Sequence, residues 1–302
     1  MYKKLLKHDF RAIGRGWWII GITLLAAFVV CALGFRAGID SLVILWSEDA
    51  TASSVGSLDV LSAMFGMLLV MASYFGFLFI ISAGAIGTEI MIYWRFYKHL
   101  YTDEGYLTFT LPVSRKQVLR SKTVNALIWE CILFAVITVG VLFLLLVVPP
   151  MENGGFGINP IVYTSIFGTA LPAAWEAIGG WIIVFILMLV PLSLLSILSS
   201  ISIIQFCITL GSVIVKKFKL LAAIGVYYVV TSVVSTATSV ISWFASIFLS
   251  TGIITFLETA STNVICASVT LILLIVCVIM ASFAAVFYFA TRNLLERKLN
   301  LA

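Results

Sequence analysis

The chain has 302 residues, 62% of them hydrophobic and only 10% charged, with a net charge of +5. Soluble domains carry about 25% charged residues, so this composition excludes an ordinary soluble fold. The apolar runs are too long for barrel strands of about ten alternating residues, and no basic patch belongs to a soluble domain, which argues against nucleic acid as a partner.

The chain opens with MYKKLLKHDFRAIGRGWW. Lys3, Lys7, Arg11 and Arg15 recur every fourth residue, while Leu5, Leu6, Phe10 and Ile13 fall on another side of a helix. That pattern predicts an amphipathic helix over 1–16, lying in the membrane interface with its cations toward anionic headgroups. It serves as an anchor, or it also supports a cytoplasmic partner. The apolar run that follows, Trp17 to Phe35, is too long for a signal-peptide core and has no A-x-A site after it. It is read as a retained first span.

Six membrane-spanning helices are predicted, at 17–36, 60–93, 122–148, 178–214, 220–249 and 263–290. The second and fourth exceed a simple crossing, so they project beyond the bilayer or break. Pro191 is the candidate break in the fourth. With six spans both termini share a side, and all of the 18 Lys and Arg residues except Arg36 fall there. By the positive-inside rule that side is the cytoplasm. Trp17, Trp18, Tyr93 and Trp94 mark inner boundaries, and Trp46 and Trp175 outer ones. The fold class is therefore an all-α polytopic membrane protein. Residues 1–302 form a single transmembrane domain with no visible internal repeat.

Two outer loops are expected. Residues 37–59 carry Asp40, Glu48, Asp49 and Asp59. Residues 149–177 contain Pro149, Pro150, Pro160 and Pro172 with several glycines, which argues against one continuous helix.

The inner connection over 95–121 is the most polar stretch between two apolar runs. Its sequence from Tyr101 is YTDEGYLTFTLPVSRKQVLRSK. Asp103, Glu104, Arg115, Lys116, Arg120 and Lys122 are mixed in sign, unlike a simple lipid-binding tract. Ser114 to Gln117 fits a capping box, so a new helix is expected to begin at Ser114. Exposed Tyr101, Tyr106, Leu107 and Phe109 beside these charges suit a docking knob, or a loop whose apolar residues dip into lipid.

In the fifth span Ser232, Ser235, Ser239, Ser242 and Ser246 share one helical face. Such a stripe serves close helix packing or forms the weakly polar wall of a substrate path. Glu89 and Glu130 lie toward the inner ends of spans two and three, where each is expected to pair with a nearby Arg or Lys. Gln205 is a lone polar group in a long span, and no midplane carboxylate or histidine suits a proton carrier.

Absences narrow the chemistry. The five cysteines, Cys31, Cys131, Cys207, Cys266 and Cys277, all sit in apolar runs without a CxxC, so neither a metal site nor dithiol chemistry is expected. There is no G-x-x-x-x-G-K-[ST] for phosphate binding and no HExxH. The histidines, His8 and His99, both fall on the inner side. No catalytic residues are assigned.

The segment from Arg95 to Lys122, with its Glu-Gly-Tyr-Leu, Leu-Pro-Val-Ser and Ser-Lys elements, resembles the first cytoplasmic loop of ABC-2-type permeases. These are the membrane subunits of bacterial ATP-binding-cassette transporters. LLKHDFRAIGRGWW is similar to the interfacial helix of that family, and the six-span plan matches it over essentially the whole chain. The resemblance implies a non-catalytic subunit in the bacterial cytoplasmic membrane, assembled from two permeases, identical or sibling, and two cytosolic ATPases that bind Mg-ATP. It makes Tyr101, Thr102, Asp103, Glu104, Gly105, Tyr106 and Leu107 the ATPase-docking coupling segment, and Pro112 to Lys122 the return into the membrane. It implies export of an amphiphilic substrate such as a peptide antibiotic, a drug or a lipid-like molecule. The family plan also has short helices near the outer ends of spans five and six, whereas here residues 250–262 are brief and the 149–177 connection is long. The alternatives are an ion- or proton-driven transporter and a non-transporting scaffold or sensor.

The charge distribution sets a topology test. Cysteine placed at Asp103 is expected to stay unlabelled by a membrane-impermeant maleimide in intact cells, and cysteine at Asn153 to label. The reverse pattern would invert the orientation.

Overall fold

The computed structural model describes residues 2–46, 57–102, 105, 114–147, 164–215, 218–259 and 261–297. Among them the chain is helical almost throughout. The elements are α1 (Tyr2–Trp46), α2 (Ser57–Tyr101), α3 (Arg115–Val147), α4 (Leu171–Ile178), α5 (Trp181–Ile214), α6 (Lys219–Thr259) and α7 (Thr262–Arg297), with a π-helical stretch, Thr164–Ala170, ahead of α4. Six helices are long and apolar enough to cross a membrane. Hydrocarbon offers no partner to a backbone amide or carbonyl, so each crossing segment closes its hydrogen bonds along its own axis.

The helices overshoot their predicted spans. At 45 residues, α1 is about 67 Å long, roughly twice the hydrocarbon thickness. It runs unbroken, so residues 2–16 are continuous with the first span and do not form a separate element. The long second span is likewise one 45-residue helix. Pro191 lies inside α5 and does not end it. Its ring removes one backbone donor, a loss that helices in a bilayer tolerate. Residues 164–178, within or bordering the expected outer loop, are helical, and the break before α5 falls at Gly179 and Gly180, inside the span predicted from 178. Gly179 takes a positive φ of 61°, and its amide donates to Trp175 O at 2.7 Å, which ends α4 and lets α5 start at Trp181.

The chain packs as two compact units. One comprises Arg11–Met91 and Trp129–Ala173. Its core brings Leu24, Phe28 and Ala32 of α1 against Leu133 and Leu144 of α3, with Phe77, Ile80 and Ile81 of α2 packed alongside. Contacts of Gly38 with Gly66, Gly34 with Ser73 and Gly84 with Leu24 make α1 and α2 antiparallel. Contacts of Trp17 with Trp129 and Phe28 with Gly140 make α1 and α3 parallel, the alternation a thrice-crossing chain requires. Arg36, the one cation expected on the outer side, is buried and paired with Asp40 one turn on, at 3.2 Å. Outward faces carry bare apolar side chains, such as Phe79 at 74% exposure. Such a surface is stable against lipid and aggregates in water.

The other unit comprises Met1–Phe10, Ile92–Ile128 and Ala174–Ala302. Here α5 packs against both α6 and α7. Trp181 Nε1 bonds Asn263 Oδ1 at one end, Ser199 meets Met280 further along, and Phe206 meets Phe287 beyond that, so α5 and α7 run parallel in constant register.

In lipid, apolar burial supplies little drive, and close backbone approach carries more of the packing energy. The tightest approach in the first unit is reciprocal. A Cβ on Gly38 would meet Gly66 O at 2.7 Å, and one on Gly66 would meet Gly38 O at 2.8 Å. Both obstacles are backbone and cannot swing away. Gly38→Val is expected to lower stability by about 1–3 kcal/mol, read as a fall in the melting temperature of the detergent-solubilised protein. Gly225→Ala, where a Cβ meets nothing within 4 Å, serves as the control and is expected not to lower it.

Candidate functional site

The loop singled out by sequence springs from the second unit, and its root lies in a buried apolar cluster of that unit. Phe96, Leu100 and Tyr101 from the last turns of α2 meet Val118 and Leu119 of α3, Ile208 of α5, Ala223 of α6 and Leu295 of α7. Leu5 of α1 packs against the same cluster. Five long helices and the start of α1 therefore converge where the chain leaves α2 and re-enters at α3. Residues 95–121, expected to form a loop, are helical up to Tyr101 and again from Arg115. Phe96 and Leu100 stand one turn apart on the buried face, which carries α2 further than hydropathy alone suggests.

Tyr101 is not the exposed docking side chain that sequence suggested. It is 3% exposed, and its hydroxyl lies 2.6 Å from Thr209 Oγ1. Thr209 spends its own proton on Gln205 O at 2.7 Å, so Tyr101 is the donor. Burying the ring required a partner for its hydroxyl, and α5 supplies one. Thr123 Oγ1 lies 2.8 Å from Gln205 Oε1 and 3.1 Å from Leu119 O. Gln205, a lone polar group by sequence, thus joins α2, α3 and α5 in one polar chain.

The carbonyl end of α2 is closed by Lys219, whose Nζ donates to Tyr101 O at 3.2 Å. A cation there suits the partial negative charge of a helix C-terminus. Thr102 Oγ1 bonds Lys98 O, and Gly105 N donates to Thr102 O at 2.7 Å. Gly105 is buried, and a Cβ on it would meet Leu100 O at 2.8 Å. The remaining members of the expected docking segment, Asp103, Glu104, Tyr106 and Leu107, lie outside the described residues, as do Phe109 and Pro112.

The returning end is tied as firmly. α3 starts after Ser114, as the capping-box reading expected, with Gln117 N 3.4 Å from Ser114 Oγ. Arg115 Nη1 donates to Leu295 O at 2.7 Å, closing a carbonyl in the last turn of α7. Lys116 approaches Glu296 at 3.6 Å, and Arg292 reaches the same carboxylate at 3.2 Å.

Between these ties lies an ion pair that sequence reading missed. Lys122 Nζ is 2.8 Å from Asp9 Oδ2, and both side chains are almost wholly buried. His99 Nδ1 stands 3.4 Å from the same Nζ. The signal was present: Asp9 falls exactly one turn from Leu5 and from Ile13, in the middle of the apolar stripe of α1. An acid on a buried stripe demands a cation.

Two other expectations meet the structure differently. In the first unit, Glu89 and Glu130 have no ion-pair partner among the described residues. Their neighbours one turn away are Ala85, Ile86, Ile92 and Tyr93 for Glu89, and Ala126, Leu127, Leu133 and Phe134 for Glu130, so no cation shares their helical face. On α6, Ser232 is half-buried while Ser235 and Ser239 are exposed, beside an open groove lined by Val233, Thr236 and Val240. The side chains of Ser242 and Ser246 lie outside the described residues. Among the described residues no His, Cys, Asp and Glu cluster could hold a metal. Comparison with protein-family models, curated proteins and solved structures finds no match to this chain.

The ion pair makes a sharp energetic prediction. Asp9→Ala leaves Lys122 buried and uncompensated, and is expected to cost about 3–5 kcal/mol. The double replacement Asp9→Leu with Lys122→Leu is expected to recover most of that loss, because the desolvation cost disappears with both charges. Thermal melts of the three proteins in detergent check it. Equal losses in the single and double variants would show that the pair is not the source.

Proposed function

We propose that this chain is the membrane-spanning subunit of an ABC-2-type transporter, driven by ATP hydrolysed in a separate cytosolic ATPase. The observation that carries the reading is the contrast at the loop. Its root is bound to α3, α5, α6 and α7 through buried side chains and a polar chain, while the sequence of residues 102–114 is rich in charged and aromatic residues.

A coupling element must be stiff at its base, since a yielding joint would absorb motion instead of passing it on. The Tyr101–Thr209 and Lys219–Tyr101 contacts hold α2 to the α5–α6 hairpin, and Arg115 holds α3 to α7. A push on the loop therefore reaches four helices together. The partner ATPase would supply the free-energy difference between two membrane states by binding the loop differently in each. Asp103 and Glu104 would meet cations on the ATPase, and Tyr106 and Leu107 would fill an apolar cleft. This side of the bilayer is the cytoplasm by the placement of basic residues. Two such chains, identical or sibling, would form the transport path, with the exposed face around Ser235 and Ser239 available to a second permease or to an amphiphilic substrate.

One observation favours a second reading. Glu89 and Glu130, without a cation among the described residues, are what an ion- or proton-driven carrier would use. The two readings separate by energy source. In vesicles containing the full chain and a co-purifying ABC ATPase, transport is expected to need ATP. Glu104→Lys and Tyr106→Ala are each expected to cut complex formation and ATPase stimulation at least ten-fold, the scale of an interface hot spot. Full flux from this chain alone under a proton gradient, lost in Glu130→Gln, would replace the first reading with the second.

A further inference from the structure

A cavity of about 450 Å³ lies within the second unit, between α3, α5 and α7. Three small residues of α7, Ala281, Ala284 and Ala285, leave a gap that larger side chains would close. Its volume falls in the range of small-molecule sites.

The cavity follows the helices. Its lining covers α7 from Ala281 to Phe289, about 12 Å along that helix, and α5 from Leu195 to Ser202, about 10 Å. These two helices run parallel in constant register, so the lining extends along the membrane-crossing direction. On α3 it takes in Arg120, Thr123 and Val124, near the inner end of that helix, which places the cavity in the inner half of the bilayer. One leaflet of hydrocarbon is about 15 Å deep, so the lining spans most of a leaflet.

The wall asks a ligand for neither charge nor hydrogen bonds. Ser202 Oγ donates its proton to Leu198 O at 2.8 Å, and Thr123 Oγ1 shares its own between Leu119 O and Gln205 Oε1. Among the described residues Arg120 is the one charged side chain in the lining, and it already interacts within the protein. A ligand that fits is therefore apolar along its length.

The surroundings supply such a ligand. Phe289 in the wall is 54% exposed, and Leu194 and Val286, each next to a lining residue, are exposed as well. The cavity thus meets the lipid-facing surface of its unit, where the medium is acyl chain. Left unfilled, its walls would forfeit their dispersion contacts.

We propose that this cavity holds one acyl chain of an inner-leaflet phospholipid, seated lengthwise between α3, α5 and α7 and selected by its length, with no part played by the headgroup. A chain clasped by three helices exchanges more slowly than chains that coat an outward face. It also fills space beside Tyr288, which packs against the cluster at the root of the loop, so the lipid is part of the packing of this unit. The inference concerns lipid binding alone and stands whether the protein is driven by ATP or by a proton gradient.

The first test is native mass spectrometry of the full chain released from detergent after lipid titration. Dipalmitoyl phosphatidylcholine and dipalmitoyl phosphatidylglycerol are expected to be retained alike at low lipid ratio. Dihexanoyl phosphatidylcholine, whose chains are too short to line the cavity, is expected to be lost. Ala281→Phe and Ala285→Trp, each checked for an unchanged melting profile without lipid, are expected to lose the dipalmitoyl lipids as well. The second test locates the chain in the unaltered protein. In vesicles, a phosphatidylcholine with a diazirine at the end of one chain is expected to label 195–202 and 281–289 above 61–79 of α2, whose side chains merely face outward. Labelling needs no variant, so it decides the question where a substituted chain does not fold. Retention that follows the headgroup, equal retention of the short-chain lipid, full retention in both filled variants, or even labelling of the three segments would overturn the proposal.

Discussion

A segment that crosses hydrocarbon must satisfy every backbone amide and carbonyl within its own helix, because an unmet group there costs several kcal/mol. The architecture follows from that constraint. The crossing segments are unbroken helices, α5 continuing through Pro191, and the breaks fall where the chain leaves the apolar runs. Where the helix ends cannot close on themselves, side chains from other helices close them. Lys219 does so for α2 and Arg115 for α7.

The same constraint separates the forces at work in the two units. In the first, apolar faces point outward to lipid and inward to one another with little difference in solvation, so shape decides the packing. Gly38 and Gly66 bring α1 and α2 to backbone contact, and the rings of Trp17 and Trp129 meet at a tilt with centroids 5.2 Å apart. In the second, charge and hydroxyl groups decide it. Asp9 with Lys122, and Tyr101 through Thr209 and Gln205 to Thr123, are buried networks in which each member needs the others. Such networks add less stability than they add uniqueness, since a slipped helix would strand a charge.

That division bears on function. The proposed coupling role asks for a base with one arrangement, and the polar ties at Tyr101 and Arg115 favour one. The acids in the first unit are of a different kind. Glu89 and Glu130 meet no cation among the described residues.

Hydropathy and helical period are local properties, and what they control was legible in the sequence. The helical class, six helices fit to cross a membrane and the start of α3 after Ser114 all follow from runs and caps, whereas the break before Trp181 falls inside a span that hydropathy joined. Pairings between distant residues are not local. Nothing near Tyr101 in the chain announces Thr209, and nothing near Lys122 announces Asp9, so an exposed tyrosine was expected where a buried one stands. Asp9 on its apolar stripe did announce that some cation must meet it, but only helix packing chose which. Tertiary structure alone decided that Glu89 and Glu130 meet no cation among the described residues, because a partner's identity depends on which faces meet in space, and sequence order does not carry that information.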